Sequence, residues 1–258
     1  MTAFLLLCGL VVLIAVFRSN SMREYMSAKG WREALRPSEK QSLEKYFEFY
    51  RRLPAKSKKI FEYRVRTFRD ITDFVPREMQ AVSEEMEILI SAAAVQLTFG
   101  FNNVFLDHFE RIIVYPDQFF STSGQRYHKG EVNPRAKAIV LSWKHFVEGY
   151  AFNEGVNLGL HEMAHALQLE NIIMNDEFGF MDDDDIRVWH ALAEKEIEKI
   201  ISPEESFFRA YGGVSQAEFF AVAVENFFER PKEFKAYHSV LYQTMCKLLK
   251  QDPIILMK

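Results

Sequence analysis

Residues 155–171 read GVNLGLHEMAHALQLEN, and the pattern His161-Glu162-x-x-His165 inside them decides how the rest of the chain is read. On a helix, positions four apart share a face, so the two imidazoles leave one side and can grip a single cation. Leu160, Met163, Ala164 and Leu167 fall at helical spacing and give the helix a buried side distinct from that of the histidine pair. Glu162 stands beside the first histidine, where metal-assisted hydrolysis needs a general base. The stretch predicts a zinc site with His161 and His165 as ligands. Two solvated histidines at the same spacing are the competing explanation, and glutamates further along the chain weigh against it.

Those glutamates lie in SQAEFFAVAVENFFER, residues 215–230. Phe219, Phe220, Val222, Ala223, Val224, Phe227 and Phe228 cover much of the helix circumference, which predicts deep burial. A buried carboxylate needs a cation or hydrogen-bond donors. Glu218 and Glu225 are two turns apart on one side, and either completes a metal sphere. Ser215-x-x-Glu218 is also a capping box, which would turn Glu218 towards a backbone amide, so the residues alone leave the choice open.

Outward from the motif, residues 37–98 read as helices. Pro37 opens one, Pro54 separates it from the next, and Pro76 separates that from a third over 81–97, apolar enough to be a core helix beneath the site. Ile112 to Tyr115 and 138–143 are β-branched and aromatic runs bounded by breakers, hence strands of a small sheet. If the second is an edge, its free backbone groups can pair with an extended peptide. The run Asp182-Asp183-Asp184-Asp185 has the composition of a hard-cation site. It also opens the helix 186–201, where negative charge is favourable, and the helix-start reading is preferred. His190 and Glu194 share a face of that helix and read as a solvated pair. Ser202-Pro203 ends it, and Pro231 starts a last pair of helices.

The chain has 258 residues, 48% hydrophobic and 26% charged, an ordinary globular composition with material for one sizeable core. Cys8 and Cys246 lie in segments that should not meet, so no disulfide is expected. Basic residues prevail over 18–80 and acidic ones over 150–230. The basic half is interleaved with acids and has no reader motif, which excludes nucleic acid as a partner. Residues 3–17, AFLLLCGLVVLIAVF, carry no charge, and with Met1 and Thr2 reach the lower limit of a bilayer span. The segment reads as an uncleaved anchor because no basic stretch precedes it and no small-residue cleavage point follows; a non-canonical signal peptide is the alternative. Arg18, Arg23, Lys29, Arg32 and Arg36 then place the following domain on the cytoplasmic side of a single-pass protein. The expected organisation is an anchor over 1–18, a basic juxtamembrane segment over 19–36 and one domain over 37–258.

From 37 to 253 the chain resembles the Mlc titration factor A (MtfA) family of zinc metallopeptidases, whose catalytic core is similar to that of anthrax lethal factor. The residues that carry the resemblance are Ile113-Val-Tyr-Pro-x-x-Phe119, Leu141-Ser142-Trp143, Gly155-x-Asn157 leading into His161-Glu-x-x-His165, Ala217-Glu-Phe-Phe-Ala-Val222, Phe227-Phe-Glu-Arg-Pro231 and Gln251-Asp-Pro253. The resemblance implies an α+β, mainly helical, zincin-like domain with one Zn2+ per chain. It selects Glu218 as third ligand and Tyr211, seven residues earlier, as a donor to the oxyanion, leaving Glu225 as a supporting residue. The implied reaction is peptide-bond hydrolysis by water at the zinc, with Glu162 as general base and a peptide or protein as substrate, held along Leu141-Ser142-Trp143. The alternative is a regulatory module that sequesters a transcriptional repressor with little turnover. Where the family continues its zinc motif with Lys-Leu-Asp, this chain has Ala166-Leu167-Gln168, and the apolar N-terminus is absent from soluble members.

Overall fold

Proline punctuates the first helices in the structure, a computed structural model that describes residues 35–121, 124–151, 154–202 and 206–257. Pro37 sits in the first turn of α1 (Pro37–Tyr46), α2 (Glu48–Arg52) follows a one-residue break, and Pro54 precedes α3 (Ala55–Ile71). The ring pre-sets the helical φ and gives up an N–H that no helical partner would meet. The apolar leader over 1–18 and the basic segment over 19–36, save its last two residues, fall on residues 1–34, outside the described residues; among those described, no helix is long and apolar enough to cross a membrane. Leu35 already belongs to the core.

The break expected at Pro76 is a strand. β1 (Asp73–Pro76) pairs in parallel with β2 (Arg111–Tyr115), which pairs in parallel with β6 (Ala138–Ser142), and β5 (Gly130–Asn133) closes the sheet antiparallel to β6. The order is β1-β2-β6-β5. A separate hairpin, β3 (Phe119–Ser121) with β4 (Arg126–His128), precedes β5. Ile112 and Val114 are the buried face of β2, whereas β6 is buried at all five positions, in line with the apolar run of a strand covered on both faces.

Two expectations are corrected here. The strand at 138–142 is not an edge: β2 and β5 flank it, and Leu141 and Ser142 are sealed. It cannot hold a peptide, and the edge beside the motif is β5. Trp143 does not extend the strand but opens α5 (Trp143–Ala151); a large aromatic suits either state, and the Ser142 hydroxyl, accepting from the His145 N–H, turns the chain there.

Helix α4 (Glu84–Thr98) is buried from Ile88 to Thr98 and packs on α3 and on α6 (Leu158–Ile172), the helix of the histidine motif. Burying each Ile or Leu stabilises the fold by about 1.5–3 kcal/mol, and α4 is the floor on which α6 rests. After it come α7 (Asp183–Ile201), a 3-10 turn (Ala210–Gly213), α8 (Gln216–Glu229), α9 (Pro231–Tyr237), α10 (Ser239–Leu248) and α11 (Pro253–Leu256). The Asp182 carboxylate accepts from the Asp184 and Asp185 N–H groups, so the acidic run starts a helix. His190 is met by Gln216 and Glu194 is exposed. The architecture is mainly helical with one small sheet, an α+β fold.

Candidate metal centre

Helix α6 begins where Asn157 caps it, its Oδ1 accepting from the Leu160 N–H at 3.0 Å, one of the orphan donors of a first turn. The turn into the cap needs Gly155: its φ is +74°, and a Cβ there would press on Asn226. The helix is buried nearly all round, so His161 and Glu162, 7% and 6% exposed, do not lie on a separate open face as the spacing suggested. They lie in the floor of a cleft of about 570 Å3 whose walls include His128, Gly130, His145, Arg209 and Tyr211.

Three side chains from two helices meet there. The Glu218 Oε2 on α8 is 3.0 Å from His161 Nε2 and 3.4 Å from His165 Nε2, and the two Nε2 atoms are 3.2 Å apart with the rings at 83°. The ligand-type atoms of all three lie within 4.8 Å of one another. Ser215 does cap α8, accepting from the Glu218 N–H at 3.1 Å, but the Glu218 carboxylate turns to the imidazoles instead of completing the capping box. Two imidazole nitrogens facing each other across a carboxylate oxygen need a proton or a cation between them, and two nitrogen donors with one oxygen donor suit a divalent zinc with a position to spare.

Glu225, fully buried, stands behind the same ring. Its Oε1 is 2.7 Å from His161 Nδ1, and it accepts from the Arg209 guanidinium at 2.5 Å and from the Asn157 N–H at 2.6 Å. A carboxylate on Nδ1 fixes the ring and directs Nε2 forward, the usual support for a metal-bound histidine. The two glutamates that helical spacing alone could not separate thus take the two nitrogens of one imidazole. Asn157 continues the chain of contacts through its Nδ2 to Glu229 at 2.9 Å, where burial pushes the carboxyl up to about 7.

Arg209 is the functional residue that sequence reasoning passed over. It precedes the 3-10 turn, holds Glu225, and lies 5.3 Å from the Tyr211 ring centroid, a cation–π contact. A lone arginine between a phenylalanine pair and a glycine pair gives no signal in the sequence. The Tyr211 ring is 5.8 Å from that of His161 and 44% exposed towards the cleft; burial, with Glu218 beside it, raises its phenol so that it stays protonated.

Burial and the neighbouring groups shift the titratable side chains of the site in different directions. Burial works to lower His161, but its hydrogen bonds to Glu218 and Glu225 outweigh that and hold it at about 9. Burial opposes ionisation of Glu218 too, yet the two imidazoles keep it well below the usual carboxylate range. For Glu162 burial wins over both imidazoles and pushes the carboxyl up to about 7. Gly130 on β5 lies directly over it, and a Cβ there would run into the Glu162 carboxylate.

A family described as glucose-regulated metallo-peptidase M90 matches residues 21–250. The chain belongs to that family. Among its relatives, an uncharacterized protein of Synechocystis sp. is 26% identical over 223 residues, covering 80% of this chain and 81% of its own. Mlc titration factor A of Yersinia pestis and of Yersinia pseudotuberculosis are each 29% identical over 171 residues, 59% of this chain. The match spans 62% of the length of those two proteins, less than two thirds. Membership of a metallo-peptidase family and kinship with Mlc titration factor A are the points at which the comparisons meet the resemblance read in the residues, and the family implies a metal.

Proposed function

We propose that this M90 protein is a zinc-dependent peptidase in which His161, His165 and Glu218 hold one Zn2+ and Glu162 is the general base. The observation that carries the reading is the convergence of those three side chains beside a buried carboxylate that no donor meets among the described residues. When bound, zinc supplies Lewis acidity at the substrate carbonyl and brings the pKa of water towards neutrality. Glu162, on the cleft floor, takes the proton of the attacking water and returns it to the departing amine. The Tyr211 hydroxyl, kept protonated, donates to the oxygen on which negative charge develops. Glu225 and Arg209 keep the His161 ring in place.

Strand β5 holds the substrate. Lys129 accepts from the Ser142 N–H, and hydrogen-bonded pairs alternate along an antiparallel ladder. The inward bonds therefore continue at Glu131 and Asn133, while the N–H and C=O of Gly130 and Val132 face the open side. An extended peptide pairing with those groups passes over Glu162, where Gly130 leaves room for it.

The test is turnover of a quenched-peptide library by zinc-loaded wild type and Glu162→Gln. The reading expects the variant to keep its metal and lose turnover; equal rates in both would refute it. A second reading rests on the name of the relatives, which says that they titrate Mlc: the centre is kept while the task is to bind a transcriptional regulator. That reading expects no turnover in either protein and partner capture that survives Glu162→Gln. The N-terminal apolar run is proposed as a membrane anchor with the M90 domain in the cytoplasm; a reporter fused after Lys258 and active only on the far side of the membrane would reverse that orientation.

A further inference from the structure

A second cavity, of about 510 Å3, opens on the other side of His165. Its volume is in the range of pockets that bury a small ligand, and its lining includes Val132, Leu169, Ile186, Trp189 and Phe220 together with His165 itself. Beside His165 and His190, the polar members of its wall are the amides Gln168, Asn171 and Gln216. No carboxylate, lysine or arginine lines it, so a charged side chain entering it would lose water without meeting one, whereas an apolar one would gain from burial. Trp189 is 2% exposed and packed between Phe219 and Phe220, and its indole N–H is buried without an acceptor among the described residues.

Position ties this cavity to the reacting centre. Gly130 and Val132 are two residues apart on β5, so they present the same face of the sheet, about 7 Å apart along the strand. Gly130 lies over Glu162, and Val132 is part of the cavity wall. A peptide laid along β5 keeps the same spacing. When its scissile bond is over Glu162, a side chain within two residues of that bond stands beside Val132.

We propose that this cavity is a specificity pocket for a large apolar side chain of the substrate, aromatic, Met or Leu, within two residues of the cleaved bond. The inference rests on the peptidase reading for its biological sense, and its test separates the two. Zinc-loaded full-length protein is given quenched peptides randomised at four positions. One position is expected to favour Phe, Met or Leu over Asp and Lys by about tenfold or more. Ala217→Phe, at the exposed rim, is expected to reduce that ratio to about threefold or less with metal content unchanged, and Ile186→Ala to move the preference towards larger side chains. A flat profile, or one that neither variant alters, overturns the proposal.

If no peptide is cleaved, the peptidase reading fails and binding decides the pocket. The indole N–H resonance of Trp189, assigned by its loss in Trp189→Phe, is expected to shift with N-acetyl-phenylalaninamide and not with N-acetyl-alaninamide. That response should vanish in Ala217→Phe. No shift, or the same shift with both amides, overturns the pocket whatever the turnover.

Discussion

Helix α6 carries two buried glutamates eight residues apart, and their surroundings differ in kind. Glu170, fully buried, accepts from the His108 N–H through both oxygens at 3.2 Å and from the Asn175 side chain. Together with Glu177, whose carboxylate takes the Phe105 and Leu106 N–H groups at 2.6 and 2.9 Å, it pins the loop before β2 to the helix. Glu162 is 6% exposed and faces the cleft, and no donor meets it among the described residues. One acid is spent on the fold. The other is left with its chemistry open, at the cost of an ionisation that burial resists. A carboxylate satisfied by backbone donors is scaffold; a buried one without donors, next to converging imidazole nitrogens, is the kind that the proposed reaction needs.

The sharpest way to break that contrast is to neutralise each acid. Glu162→Gln should retain metal and lower turnover by roughly 10²–10⁴-fold, measured as kcat on a peptide that wild type cleaves; Glu170→Gln should leave kcat per folded molecule near wild type. Behind the ring, Glu225→Gln should weaken zinc affinity by about 10–100-fold, read by competition with a chromophoric chelator. An unchanged affinity would reduce Glu225 to a packing residue. Stability should sort the two acids the other way round. Glu170→Gln puts an amide donor against donors and should cost about 1–3 kcal/mol in urea unfolding, while Glu162→Gln loses no partner and, at neutral pH, removes an ionisation that burial resists, so it should be at least as stable as wild type.

The smallest effect is a slope with pH. In metal-free protein Glu162 is raised to about 7 from 4.5 and His161 to about 9 from 6.5. The folded state then binds more protons than the unfolded one over both windows, so stability falls as pH rises from about 4.5 to about 9. Glu162→Gln should make the lower part of that fall shallower in a series of thermal melts, up to about pH 7, with Glu229, also raised to about 7, supplying what remains. Zinc replaces the protons, and loaded protein should lack the upper part.

Much of this was legible in the residues because local rules carried it. Pro37, Pro54, Asn157, Asp182 and Ser215 mark helix starts by ring geometry or side-chain caps, and the run Ile112 to Tyr115 is β-branched enough to read as a strand. What escaped depended on partners distant in sequence. Gly130-Glu-Val-Asn133 has no alternation and a poor strand composition; it is extended because β6 pairs with it. Asp73-Phe-Val-Pro76 is likewise set by β2. Without the family resemblance, which selected Glu218, the residues could not tell Glu218 from Glu225, because the distinction lies in which nitrogen of one imidazole each faces, and no spacing along α8 encodes that. Arg209 became visible only when its guanidinium was found on Glu225.

The central claim, that His161, His165 and Glu218 form a centre for one divalent ion, is met most directly by elemental analysis of full-length protein purified without chelators, beside His161→Ala and Glu218→Ala. About one zinc per chain in the wild type, and a small fraction of that in both variants, is the expected result. Wild type with only traces of zinc, or variants that keep as much as it does, would contradict the account.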